Sequence, residues 1–257
     1  METICKNNKI GFTLAEVLIT LGVIGIVSAI TMPTLIKNYQ KQVTVNLLKK
    51  AYSEFALAIQ KAENEHGLME TWNFADFETA QDRAKYFGEN YLFPHIKTIK
   101  KCIPTSNECW ADDIKNLNKQ PILSTNYGTN NAVKSISFIT SSGYSVYYWL
   151  HDNGTGMWYY VDINGNKKGP NQIGRDIFAF GANWGKTTIK KGISTSGLHT
   201  GANCTRDDLL GRTNSCNYTG SDVSVICKKQ NSTGRLGLFC TSVIVQDGWK
   251  IAPDYPW

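Results

Sequence analysis

The feature that most constrains this chain is an apolar run near its N-terminus, from Phe12 to Ile36. The run contains 25 residues, and Glu16 is its only ionisable side chain. Because an α-helix rises about 1.5 Å per residue, about 20 such residues are enough to cross the ~30 Å hydrocarbon layer of a bilayer. The run is therefore predicted to be a transmembrane helix.

The carboxylate of Glu16 lies where lipid hydrocarbon is expected, and a charge there costs about 2.5–3.5 kcal/mol on insertion scales. An ionisable residue in such a segment indicates a function beyond simple anchoring. Lys6 and Lys9 precede the run, so the positive-inside rule predicts a short cytoplasmic N-terminus and an exported remainder. The run is longer than the apolar region of a secretory signal peptide, so cleavage after it is not expected.

The residues that flank Glu16 carry a resemblance to a known family. The stretch Gly11–Leu18, GFTLAEVL, resembles the cleavage and methylation motif of type IV prepilins and type II secretion pseudopilins. Pro33 resembles the proline that interrupts the N-terminal helix in those families. The resemblance implies that a prepilin peptidase cuts between Gly11 and Phe12 and then methylates the new amine of Phe12.

The same resemblance implies how the mature chain is used. In a filament, Glu16 of one subunit lies near the amine of Phe12 in its neighbour, and pairing relieves the cost that each buried charge has alone. The implied partners are the prepilin peptidase, other pilin or pseudopilin subunits and an inner-membrane assembly platform. The implied location is the bacterial inner membrane, with a cytoplasmic N-terminus and an exported head, and then a periplasmic pseudopilus or a surface pilus.

Apolar residues continue at three- and four-residue spacing beyond Pro33, which predicts that the helix continues with one apolar face. Gly67 is the predicted stop, so the helix is expected from Thr13 to His66. A second, short helix is predicted from Asp76 to Leu92, with Asp76 as its cap. The apolar face of the long helix comprises Val43, Leu47, Leu48, Ala51, Tyr52, Phe55, Ile59 and Ala62.

The clearest β-strand signals lie in the middle of the chain. The runs KSISFIT, YSVYYWL and MWYYVDI are rich in aromatic and β-branched residues, and the short connections SSG and HDNGTG separate them. They predict an antiparallel meander of three strands. The segment LGLFCTSVIVQDGWKI near the C-terminus predicts one more strand.

These elements indicate an α+β, pilin-like fold, in which a long N-terminal helix with a transmembrane first half packs on an antiparallel β-sheet head. The predicted divisions are a leader at 1–11, a transmembrane and assembly helix at 12–36, a globular head at 37–182 and a cysteine-rich extension of the head at 183–257. The extension is rich in Gly, Ser, Thr and Asn, so disulfides are expected to hold its loop-heavy structure.

Seven cysteines occur, and one of them, Cys5, belongs to the predicted leader. The spacing of the other six lacks the Cys-x-x-Cys pattern of zinc sites, which favours disulfides in an oxidising compartment over a zinc site. Cys102 and Cys109 are predicted to close a small disulfide loop. The last four cysteines leave three pairings open, and these are Cys204, Cys216, Cys227 and Cys240.

The segment VDINGNKKGPNQIGRDIFAF contains oxygen-bearing side chains at alternate positions, Asp162, Asn164 and Asn166, as in a calcium-binding loop. It fails the EF-hand pattern, because Lys167 stands where Gly is needed and Ile173 stands where the bidentate Glu is needed. Asn-Gly is itself a strong turn signal, and an Asp before it can cap that turn. A structural turn is therefore the favoured interpretation, calcium stays open, and no cofactor is required.

The chain has 27 Lys and Arg against 21 Asp and Glu, a net charge of +6, but no basic stripe, so no specific nucleic-acid partner is expected. The four histidines are far apart in sequence, and no catalytic serine elbow, phosphate-binding loop or dinucleotide fingerprint occurs. We therefore expect a non-enzymatic structural subunit of a type IV pilus or type II secretion pseudopilus, and a minor one because its head is large. The alternative is a membrane-anchored surface binding module, such as an adhesin or a DNA-uptake receptor, that uses the same export signal.

Overall fold

A computed structural model describes residues 11–122, 134–152, 154–183, 192–195, 204–213, 226–229 and 237–257. The chain divides into two compact units, Met1–Gln42 and Val43–Trp257. The helices and strands are α1 (Leu14–His66), α2 (Ala80–Phe87), β1 (Thr98–Cys102), β2 (Ile136–Thr140), β3 (Ser145–Leu150), β4 (Gly156–Asp162), β5 (Ile177–Asn183), β6 (Gly192–Thr195), α3 (Arg206–Leu209) and α4 (Cys240–Gln246). Short 3₁₀ and π-helical turns lie at Met69–Thr71 and Gly88–Leu92.

The first unit contains the beginning of α1, a helix of 53 residues with Pro33 inside it. Every residue from 11 to 40 is exposed except Ser28, which is half-buried. The helix is long and apolar enough to cross a membrane, and its most apolar stretch is not buried inside the protein. An apolar surface of this size on one helix marks a membrane or protein contact. The interruption at Pro33 that the resemblance implies stays a prediction.

The part of α1 that belongs to the second unit buries one face of the helix and exposes the other. Its buried residues recur at three- and four-residue spacing, which confirms the predicted apolar face. Gly67 follows the helix in a left-handed conformation with φ of +83°, the geometry that ends many helices and that glycine adopts without strain. The buried face comprises Thr44, Val45, Leu48, Ala51, Phe55, Ala58, Ile59 and Ala62.

A sheet of six strands in the order β1 to β6 forms the second layer of the head, and all neighbouring strands are antiparallel. Strands β2, β3 and β4 are the predicted meander. Strands β1, β5 and β6 extend it on both sides and were not predicted. Helix α1 and this antiparallel sheet confirm the α+β, pilin-like fold class.

Aromatic side chains join the sheet to the second unit's part of α1. The ring of Phe55 stacks on Tyr159 of β4 with 4.0 Å between ring centroids, and Tyr159 stacks in turn on Phe180 of β5 at 5.0 Å. All three side chains are almost fully buried. Polar contacts support this packing, because Glu54 accepts hydrogen bonds from the hydroxyls of Ser142 (2.7 Å) and Tyr144 (2.8 Å) in the β2–β3 connection.

Helix α2 begins at Ala80 instead of Asp76, and the π-helical turn that follows it ends at Leu92, as predicted. The cap is Thr79, whose side-chain oxygen accepts a hydrogen bond of 3.0 Å from the backbone N–H of Asp82. The predicted cap at Asp76 is therefore wrong, because a Thr three residues before an Asp satisfies the first turn of the helix.

The strand predicted near the C-terminus is wrong as well, since this segment forms helix α4. The run of β-branched residues favours a strand, but the segment does not pair with the described strands of the sheet. Instead, the hydroxyl of Thr241 accepts a hydrogen bond of 3.1 Å from the backbone N–H of Ala179 in β5. Tertiary packing against β5 therefore overrides the local preference.

Two disulfides confirm that the cysteines form cross-links. Cys102 bonds to Cys109, as predicted, and Cys227 bonds to Cys240, which was one of the open pairings. Cys204 is also disulfide-bonded, whereas Cys216 lies outside the described residues.

The described residues from 204 onward share the hydrophobic core of the head. Leu209, Phe239 and Ile244 belong to the same buried cluster as Phe55 and the sheet aromatics. The hydroxyl of Tyr255 donates a hydrogen bond to the backbone carbonyl of Gly174. The division of the chain at residue 183 stays a prediction, but the described C-terminal segments pack into the head.

Replacing Phe55 by Ala should lower the free energy of unfolding by about 3–5 kcal/mol, because it removes a buried ring and leaves a cavity against Tyr159. Leu57 lies two residues away on the same helix but is 50% exposed, so Leu57→Ala should change stability by no more than about 0.5 kcal/mol. Urea unfolding of the detergent-solubilised chain, followed by circular dichroism, measures both. Equal losses in the two variants would contradict this account of the core.

Candidate processing and assembly site

The peptide bond between Gly11 and Phe12 lies just before α1, in a segment without helical structure. Phe12 is 90% exposed, and no described atom lies within 4 Å of the position that a side chain on Gly11 would occupy. Within the described residues, this bond is therefore not covered by other parts of the chain. The leader residues 1–10 lie outside the described residues.

The first turn of α1 is closed by reciprocal hydrogen bonds between Thr13 and Glu16. The Thr13 hydroxyl oxygen accepts a bond of 3.2 Å from the backbone N–H of Glu16. In return, Oε2 of Glu16 accepts bonds of 2.8 Å from the Thr13 backbone N–H and of 2.8 Å from its hydroxyl. This is a capping box, with Thr13 at the N-cap and Glu16 at the third helical position.

The capping box gives the Glu16 carboxylate partners that the sequence analysis did not predict. Glu16 has partners within its own chain, and its negative charge lies at the N-terminal end of a helix, where the helix dipole stabilises it. Thr13 is the functional residue that the sequence reasoning missed. The signal was available, because Thr followed three residues later by Glu at the start of an apolar run predicts a capping box.

The predicted calcium ligands, Asp162, Asn164 and Asn166, lie at the end of β4 and in the loop that connects it to β5. Asp162 is fully buried, and its Oδ1 accepts a hydrogen bond of 3.2 Å from the backbone N–H of Asn164. Burial, together with the nearby Asp176, raises the pKa of Asp162 to about 8. Asn166 has other partners, because its backbone N–H donates to the Ser145 hydroxyl and its side-chain amide donates to the Asn107 carbonyl.

The structure therefore brings Asp162 and Asn164 together and directs the amide nitrogen of Asn166 elsewhere. No group of three or more His, Cys, Asp or Glu side chains is arranged to hold a metal ion in the described part of the chain. That observation leaves open a site made of carboxylate and amide oxygens, so calcium at this loop stays a prediction.

Comparison with protein families finds two matches. A family model described as the prokaryotic N-terminal methylation motif matches residues 6–32, which include the cleavage position, the capping box and most of the apolar run. With the apolar helix, the α+β fold and the disulfides, this match defines a type IV pilin- or pseudopilin-like membrane protein of the kind that prepilin peptidase cleaves and methylates.

A second family model matches residues 34–257 and is described as a family of unknown function, DUF6613. The chain belongs to this family, since the match covers most of its length. No curated protein and no solved structure matches the chain.

Replacing Thr13 by Ala should leave the amide proton of Glu16 without its acceptor, while Thr13→Ser should keep the bond. Loss of a cap costs about 1 kcal/mol, so hydrogen exchange at the Glu16 amide should become about five-fold faster in Thr13→Ala. Thr20→Ala is the control, because the Thr20 hydroxyl donates to the backbone carbonyl of Val17 inside the helix and caps no helix end. NMR exchange rates in detergent micelles measure the difference; an unchanged rate at Glu16 would contradict the capping box.

Proposed function

We propose that the chain is a non-enzymatic structural subunit, and a minor one, of a type IV pilus or a type II secretion pseudopilus. The observation that carries the proposal is the methylation motif at residues 6–32. It coincides with an exposed residue, Phe12, at the predicted cleavage position and with a helix whose first half is predominantly apolar. A chain with these features has a cleavage site and a surface that requires lipid or other subunits.

Processing comes first in the proposed sequence of events. The Lys residues of the leader keep the N-terminus in the cytoplasm, and the head is exported across the inner membrane in a single pass. Prepilin peptidase then cuts after Gly11 and methylates the amine of Phe12. Thr13 keeps its backbone N–H after this cut, so the capping box with Glu16 survives in the mature chain.

Assembly follows from the electrostatics of the mature N-terminus. Cleavage creates a positive amine on Phe12 and leaves the negative Glu16 four residues away in the apolar helix. The capping box uses one carboxylate oxygen of Glu16, Oε2, so Oε1 can accept the amine of a neighbouring subunit. In a low-dielectric environment, a pair of opposite charges has a much lower free energy than the two charges kept apart. This difference favours addition of one subunit below another.

The size of the head supports a minor role. The unit from Val43 to Trp257 has a six-stranded sheet and two described disulfides, and its C-terminal part packs into the core. A subunit of this kind suits a special position in a filament or a contact with a partner more than the repeated body of a pilus. The assembly platform in the inner membrane and other pilin subunits are its proposed partners.

The mature protein should begin with N-methyl-Phe12, because the motif marks this residue as the new N-terminus. Mass spectrometry of the chain purified from its host membrane tests this directly. In cells that lack prepilin peptidase, the same chain should keep residues 1–11. An intact Met1 in normal cells, or a cut beyond Ile36, would overturn the proposed processing.

Glu16→Gln and Thr13→Ala separate the assembly charge from the helix cap. Gln at position 16 keeps the capping box but removes the charge, so crosslinking between subunits and incorporation into filaments should fall at least ten-fold. Ala at position 13 removes the cap but keeps the charge, so incorporation should fall by much less. Both variants should still begin at Phe12 by mass spectrometry.

The same pair of variants distinguishes the alternative function. A membrane-anchored surface binding module needs no neighbour, so its surface display and its crosslinks would be unchanged in Glu16→Gln. That result would exclude the proposed role in assembly while leaving processing at Gly11 intact.

A further inference from the structure

The loop between β4 and β5 brings two buried carboxylates together at its base. Asp162 is the last residue of β4 and is fully buried, and Asp176 comes directly before β5 and is 4% exposed. The strands pair Asp162 with Ile177, and the Asp176 carbonyl accepts a hydrogen bond of 2.9 Å from the backbone N–H of Ile163. Two acids at such depth repel one another unless a proton or a cation lies between them.

Asp176 is well supplied with hydrogen-bond donors. Its Oδ1 accepts from the backbone N–H of Gln172 at 2.6 Å, and its Oδ2 accepts from the backbone N–H of Asn171 at 2.8 Å. The side-chain amide of Asn164 is 3.5 Å from the same Oδ2. Burial raises the pKa of Asp176 above its usual value, and these N–H groups oppose that rise.

Asp162 is only half satisfied. Its Oδ1 accepts from the backbone N–H of Asn164, but its Oδ2 is buried and has no hydrogen-bond partner among the described residues. A buried polar atom without a partner costs about 1–3 kcal/mol, so a group that contacts this oxygen would stabilise the folded protein.

Two amide oxygens in the same loop have the same deficiency. Asn171, which is 7% exposed, and the half-buried Asn164 both have a buried Oδ1 without a hydrogen-bond partner among the described residues. Their amide orientations are fixed by acceptors on the other side. Nδ2 of Asn164 donates to the carbonyl of Gly169 at 3.1 Å, and Nδ2 of Asn171 donates to the carboxylate of Asp113.

The position of Asp113 shows which way the Asn171 amide points. The side chain of Asp113 is 58% exposed, so the nitrogen end of the amide lies beside this surface group, whereas the oxygen end is buried. Turning the amide over would place its oxygen against a carboxylate, which is repulsive. Both asparagines thus have a buried, unpartnered oxygen in the same loop that follows Asp162, whose Oδ2 is unpartnered as well.

We propose that this loop binds a calcium ion through the side-chain oxygens of Asp162, Asn164 and Asn171. Asp176 supplies the second negative charge that neutralises the ion. Calcium prefers six to eight oxygen ligands from carboxylates, amides, backbone carbonyls and water. Two carboxylates neutralise its double charge, and the absence of any sulfur or imidazole ligand from the set disfavours zinc and copper. This ligand set differs from the one expected from sequence, because Asp176 and Asn171 replace Asn166.

Calcium at this position stabilises the C-terminal region of the head as well as the loop. The segment between Asn171 and β5 contains Gly174, whose carbonyl accepts the hydrogen bond from the hydroxyl of Tyr255. A side chain on Gly174 would lie 2.9 Å from the sulfur of Cys240, so the loop also packs closely on the Cys227–Cys240 disulfide. Ordering the loop therefore strengthens the packing of the C-terminal region. The site requires no assembly into a filament.

Thermal unfolding of the full-length chain in detergent tests the site. After removal of calcium with EDTA, the wild-type Tm should rise continuously as calcium is added, because a ligand that binds only the folded state stabilises it by mass action. Asp162→Asn should weaken calcium binding at least ten-fold. Without calcium it should unfold at the same temperature as the wild type or above, since the repulsion from Asp176 is removed. Magnesium should give a smaller rise in the wild-type Tm.

Asn171→Gly provides a second variant. Asn171 has φ of +51°, which Gly adopts without strain, so the backbone N–H to Asp176 is kept while the amide oxygen is lost. Calcium affinity should fall several-fold. Asp112→Asn is the matched control, because this acid is exposed and lies outside the cluster, and it should bind calcium like the wild type. No calcium-dependent rise in the wild-type Tm, or equal rises in wild type, Asp162→Asn and Asn171→Gly, would overturn the site.

Discussion

Burial of one face of α1 against the sheet is the interaction on which the head depends. Phe55, Tyr159 and Phe180 stack in sequence from the helix through two strands, and alanines at 51, 58 and 62 in the buried face let the backbone of the helix approach. Without this contact, the rings of Tyr159 and Phe180 would lose the helix side chain on which they stack. The remaining elements pack around this pair of layers.

The same helix meets two different requirements along its length. Up to Ile36 it is predominantly apolar and exposed, which suits lipid or neighbouring subunits. From Val43 it has one apolar face and one polar face, which suits a globular head in water. The capping box at Thr13 and Glu16 starts this helix, so the residue proposed for assembly also stabilises the element that it belongs to.

Long-range contacts explain why some elements could not be predicted. Strands β2 to β4 have strong aromatic and β-branched runs with short turns, so local sequence was sufficient for them. Strand β5 contains Ala and Gly and follows a long polar loop, and it forms because β4 provides a complete set of pairing partners. Helix α4 is the opposite case, since Thr241 and the Cys227–Cys240 disulfide hold a strand-like sequence in a helix.

The sequence by itself determined the apolar helix, the cleavage and methylation motif, the Cys102–Cys109 disulfide and the central meander. Each of these depends on residues close together in the chain, whose spacing directly reflects helix or strand geometry. Only the tertiary structure decided the partner of Cys227, the course of the C-terminal region and the meeting of Asp162, Asp176, Asn164 and Asn171 in one buried loop. Such arrangements depend on which segments of the chain pack together. An oxygen of Asp162 is buried without a partner only after these segments have packed.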